Sequence, residues 1–223
     1  MSAMPEIDNN EHRSNPFRHP LEFVFAEHDR QRIICAVIER LADDLQASDA
    51  CANAAHVLDH LENLLPLHIA DEEQDLFPLL WQRCIDDDGI NELLALLQEE
   101  HKEDDDHCAA LLTPLRVLAK GGQPANATEF VALALGFAHF QRRHLGWENG
   151  TILPLAERRL TDADQAELGR SMAARRGIEF PEKLNWRGDK RGKRRHPQGG
   201  AWRCIIMRKI DVVYAVSFQY SEP

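Results

Sequence analysis

Several absences narrow the reading of this sequence. Tyrosine occurs only twice and tryptophan four times among the 223 residues. The longest uncharged stretches, such as residues 130–141, fall short of the roughly 20 residues that cross a bilayer, and no membrane partner is expected. The opening MSAMPEIDNNEHRSNPF is polar throughout, which argues against a secretory leader. The five cysteines are scattered, odd in number and never spaced C-x-x-C. Neither a disulfide framework nor a thiolate zinc site is expected, and a soluble, reducing, cytoplasmic setting follows. Basic charge is also short. With 26 Lys+Arg against 37 Asp+Glu, the net charge of −11 makes a poor generic nucleic-acid binder.

Strand-like alternation is missing from residues 21–177, where apolar residues recur at helical spacing instead. Leu21, Phe25, Ile33, Val37 and Leu41 form the first stripe, predicted to fade near 47–49. A second helix is predicted from Cys51 to Cys84, bent or broken at Pro66 and Pro78. A third covers Ile90 to Ala119, bent near Pro114, and GGQPAN (121–126) ends it. A fourth starts near Thr128, capped by Asn126 or Thr128, and runs toward Leu160 with Pro154 inside; a short fifth spans 162–176. Long helices and short loops predict an all-α, antiparallel up-down-up-down four-helix bundle with a short fifth helix.

The ends differ from this middle. Residues 1–17 read as a flexible arm, 18–177 as the folded domain and 178–223 as a basic, disordered tail. Residues 181–223 carry ten Lys/Arg against four Asp/Glu, and RGDKRGKRRHPQGG (187–200) reads as a linker. The stretch 205–220 is strand-like in composition with no sheet to join. An unstructured terminus is the plain reading of the tail; contact with nucleic acid, an acidic membrane surface or a partner is its weaker alternative.

Histidine, by contrast, is plentiful, with eleven residues in a patterned arrangement. HIADEEQDLFP from His68 and HLGWENGTILP from His144 each place a Glu four residues after the His and a Pro ten after it. Glu27-His28 and Glu100-His101 form a second matching pair. The i, i+4 step puts His and Glu on one helix face. Each member lies roughly twenty residues from a loop, so an antiparallel bundle brings His28, His68, Glu72, His101, His144 and Glu148 to one level. Six ionisable groups in a core layer are costly unless a cation neutralises them. Imidazole and carboxylate suit Fe, Zn, Ni or Mn, and two His plus carboxylate per metal suits a non-haem di-iron pair. The ferritin-like Glu-x-x-His and the zincin His-Glu-x-x-His are both absent.

These motifs resemble the hemerythrin-like (HHE cation-binding) family over about residues 18–177. The resemblance implies a four-helix bundle around an oxo- or hydroxo-bridged pair of Fe ions. It makes Glu72 and Glu148 the bridges and the four histidines the terminal ligands. Two positions depart from the oxygen-carrying members. Asp105 stands where they have a further His, and Glu148 lies four residues past its His, where they have an Asp at five. Asp105 is read as part of a solvated acidic face, 103–106, with an extra-ligand role as the alternative. Phe77 and Trp147 are expected near the site or as plain core aromatics. His56, His60, His107 and His139 are given ordinary roles.

The function expected is binding or sensing of O2, NO or iron. An enzyme reducing peroxide or nitric oxide is the alternative, and a metal-free interaction module comes third. No separate nucleophile or acid–base pair is legible.

Overall fold

In a computed structural model, residues 15–180 are described. Among them there is no strand, and the chain runs as four long rods and a docked fifth helix. The first rod is α1 (Pro20–Asp43), opened by Pro20 in the first turn, where its missing N–H costs nothing. The second comprises α2 (Ala50–Asp59), α3 (Leu65–Asp71) and α4 (Phe77–Arg83). The third is α5 (Asn91–Ala119), ended by Gly121 at a φ of 78°, a left-handed conformation suited to glycine. The fourth is α6 (Ala127–Trp147) and α7 (Leu153–Arg159). Asn126 caps α6 by accepting from the Glu129 N–H. The fifth helix, α8 (Asp162–Arg175), starts on a reciprocal Thr161–Asp164 cap.

The predicted breaks at proline take a different form. The segments joining α2, α3 and α4, and α6 to α7, are single widened turns: Leu65 N–H donates to His60 O, Phe77 N–H to Glu72 O, and Leu153 N–H to Glu148 O. These are i to i−5 bonds. Each turn begins six residues before a proline, at Pro66, Pro78 and Pro154. A proline lacks an N–H and crowds the carbonyl four residues back; a turn wider by one residue absorbs both and keeps the rod running. Pro114 sits within a continuous α5.

Packing gives the up-down-up-down arrangement. Helix α1 lies against α6 and α2, and α5 lies against the same two. The apolar core has two halves. One holds Phe23, Leu76, Phe77, Leu94 and Ile152; the other holds Ile34, Ile38, Leu111, Leu115 and Phe137. A layer of buried polar side chains separates them.

Helix α8 closes one end of the bundle over the Pro16–Arg18 turn. Gly169 permits this approach, since a Cβ there would lie 2.0 Å from the Phe17 carbonyl oxygen. Phe17 is fully buried against Phe23, so the expected N-terminal arm ends in a docked turn over Asn15–Phe17. The Arg176 guanidinium lies over both rings, which holds the apolar Phe17 in place. The rest of the expected arm, and the tail from 181 onward with its strand-like stretch, lie outside the described residues. Among the described residues, no helix is long and apolar enough to cross a membrane.

Candidate metal centre

All six candidate residues meet in the polar layer between the two core halves. His28 comes from α1, His68 from α3, His101 from α5 and His144 from α6; Glu72 and Glu148 open two of the widened turns. Their ligand atoms form two groups of four, each within 4.8 Å of one another. One group is His28, His68, Glu72 and Glu148, and the other is Glu72, His101, His144 and Glu148. Both carboxylates belong to both groups.

The distances follow that division. His28 Nε2 lies 3.4 Å from Glu72 Oε1 and 3.4 Å from Glu148 Oε2. His68 Nε2 lies 3.4 Å from Glu72 Oε2, and His101 Nε2 3.5 Å from the same oxygen. His144 Nε2 lies 3.0 Å from Glu148 Oε1.

The other ring nitrogens are held by neighbours. His28 Nδ1 pairs with Asn149 Oδ1 at 3.0 Å, His101 Nδ1 with Glu73 Oε1 at 3.0 Å, and His144 Nδ1 with Glu100 Oε2 at 2.8 Å. Each oxygen accepts from Nδ1–H and fixes its ring, so that Nε2 offers a lone pair to the centre when the ring is neutral. Glu100 is itself held by Arg143 at 2.7 Å. The Phe77 ring stacks on His101 with centroids 5.9 Å apart, restricting its rotation.

The arrangement fits a cation. Glu72 Oε2 and both oxygens of Glu148 are buried without a hydrogen-bond partner. Buried orphan carboxylate oxygens are costly, and a cation beside them supplies the missing contact. Without one, protons must balance the charge. Burial pulls the His28, His101 and His144 imidazoles down, but the neighbouring carboxylates outweigh it. His144 is pushed up to about 10, chiefly by Glu148 once burial is overcome. Burial likewise disfavours the charged form of Glu72, but His68, His101 and His28 hold its carboxyl well below the usual range. His68, whose Nδ1 has no partner, goes the other way: burial lowers it to about 3.

Several expectations are corrected. Within the acidic run 103–106, Glu103, Asp105 and Asp106 are exposed, but Asp104 is buried. The helix turns Asp104 inward because it lies three residues from His101, and burial pushes its carboxyl up to about 7. Asp105 points to solvent, away from the six. Trp147 is 47% exposed, neither near-site packing nor core, while Phe77 packs on the site. His60 is buried and opens the third widened turn, in the place Glu72 and Glu148 hold in the other two; burial lowers it to about 3. His107 packs edge-on against Phe140, away from the centre.

Residues 19–156 match the model of the hemerythrin HHE cation-binding domain, so the chain belongs to that family. No curated protein matches the chain. Helix α8 lies beyond the matched segment.

Proposed function

We propose that the chain is a non-haem di-iron protein that binds or senses a small ligand, O2 or NO, through a centre held by His28, His68, Glu72, His101, His144 and Glu148. The observation that supports this most is Glu148: fully buried, with neither oxygen hydrogen-bonded, one facing His28 and the other His144. A carboxylate so placed would serve two cations of the Fe class better than one. The donor set of four imidazoles and two carboxylates, without thiolate, accommodates both ferrous and ferric charge. Such a pair, when bound, supplies one-electron chemistry and open coordination positions.

The chain's own residues do the rest. Glu73, Glu100 and Asn149 orient three rings. Phe77, with Leu76 and Ile152, limits water on one side. Loss of the cation would leave a buried layer of imidazoles and carboxylates, with orphaned carboxylate oxygens, between two apolar halves, so ligand and metal state are coupled to helix packing. Helix α8 is tied to the same layer by Asp71, next in sequence to Glu72, which receives Arg175 and Arg176.

The test is an anaerobic titration of the reduced, iron-loaded full chain with nitric oxide and with O2, followed by absorbance. Saturable spectral changes in the wild type, lost in His101→Ala, are expected. Iron-loaded protein that responds to neither ligand overturns the binding role.

A further inference from the structure

One helical turn beyond the six residues lies a second set of buried polar side chains. Gln31 follows His28 by three residues on α1, Asp104 follows His101 by three on α5, and Gln141 precedes His144 by three on α6. Because α6 runs opposite to α1 and α5, all three steps lead the same way, toward the core half built on Ile34, Leu111 and Phe137. At 1.5 Å per residue this level lies about 4.5 Å from that of the histidines.

All three residues are buried. Gln141 donates its Nε2–H to Asp104 Oδ2. That leaves Asp104 Oδ1 and Gln31 Nε2 buried with no partner. Unmet groups of this kind are expensive, and the adjoining layers on this side are apolar. The pattern is that of a site whose partner is a bound molecule.

We infer that Gln31, Asp104 and Gln141 form a hydrogen-bonding pocket for the small ligand of the centre, and that the pocket favours hydrogen peroxide over a bare diatomic. The inference rests on reading the six residues as cation ligands, and it narrows the ligand class of that site. The Gln31 amide needs an acceptor. The Asp104 oxygen needs a protic partner as a carboxylate and an acceptor as an acid, so its partner must serve both ways. Hydrogen peroxide carries an O–H donor and a good acceptor on each of two adjacent atoms. O2 and NO have no proton to give and accept only weakly, so they leave both buried groups unmet. The claim concerns binding, and no bond-breaking step is assigned.

The test uses the full-length, iron-loaded protein with Gln31→Leu, Asp104→Leu and Asp104→Asn. The ferric form is titrated with hydrogen peroxide and the reduced form with nitric oxide, both by absorbance, alongside iron content and melting temperature. Each leucine variant is expected to raise half-saturating peroxide about tenfold, the equivalent of about 1.4 kcal/mol, and to change nitric oxide binding less than twofold. Iron content is expected to hold; the melting temperature of Gln31→Leu is expected to be equal or higher, and that of Asp104→Leu lower, because the buried Gln141 amide loses its acceptor. Should Asp104→Leu fail to load iron, Asp104→Asn, which still accepts from Gln141, carries the same expectation at smaller size. Unchanged peroxide saturation in variants that hold iron overturns the inference, as does equal weakening of both ligands. A wild-type chain that takes up no iron overturns the metal reading itself, and this inference with it.

Discussion

The Nε2 atoms of His101 and His144 face each other at 3.0 Å, deep in the bundle. With each Nδ1 held by a glutamate, both facing atoms are lone pairs when the rings are neutral. Two acceptors at that distance repel unless a proton or a cation sits between or beside them. The pair therefore links ring orientation, protonation and metal uptake, and the first two predictions follow from it.

Metal uptake should release protons. His28, His101 and His144 are raised in the cation-free chain, His144 to about 10, and a metal ligand must be deprotonated. At pH 7 the His144 ring carries a proton that the cation displaces, and the carboxylates favour the protonated forms of His28 and His101 as well. Affinity should therefore rise with pH through neutrality and level off near 10. Ferrous ion titrated by calorimetry in buffers of different ionisation enthalpy measures the number released; zero would contradict the assigned protonation.

Glu73 and Glu100 should act on the metal through the rings they hold. Replacing either by Ala frees an Nδ1 and loosens its ring, which typically costs 10–100-fold in metal affinity. Competition with a chelator reads this directly. Glu103→Ala, on the exposed side of the same helix, is expected to change nothing.

Asp71 should anchor α8. It is buried and accepts from both Arg175 and Arg176, the latter at 2.7 Å. Removing one partner of a buried charge set costs about 3–5 kcal/mol. Urea denaturation of Asp71→Ala is expected to show a loss on that order. A loss below about 1 kcal/mol would mean that α8 docks through its apolar face alone.

Asp164 gives a stability change at acid pH. Arg83 hydrogen bonds at 2.9 and 2.8 Å, and the Thr161 cap, lower its carboxyl to about 2. A depressed carboxyl contributes stability that is present above its unfolded value near 4 and is lost as pH falls toward 2. Asp164→Ala should cost about 1–2 kcal/mol at pH 7, from the lost cap and ion pair. The gap to wild type should shrink below pH 4. A gap constant from pH 7 to pH 2 would contradict the assignment.

Much of this architecture is legible in the sequence. Helical periodicity and loop positions give the rods, and level counting along them puts the six residues in one layer. The widened turns are not legible from periodicity, because a single i to i−5 bond leaves no repeating signal; only the shared six-residue step from His60, Glu72 and Glu148 to a proline marks them. The inward turn of Asp104 is hidden in an acidic run with no apolar contrast. Gln31 and Gln141 are polar positions inside apolar stripes, where the sequence alone gives no reason to look. The docking of α8 on Asp71 joins residues about a hundred positions apart through side-chain pairs, which local patterning does not report.

The proposed di-iron centre requires Glu72 and Glu148 to bridge two irons. Metal analysis of the purified full chain, with ultraviolet–visible spectra before and after air exposure, tests it most directly. Two irons per chain with oxo-bridge absorption bands after exposure are the predicted result. One ion per chain, or stoichiometric zinc without those bands, would contradict it.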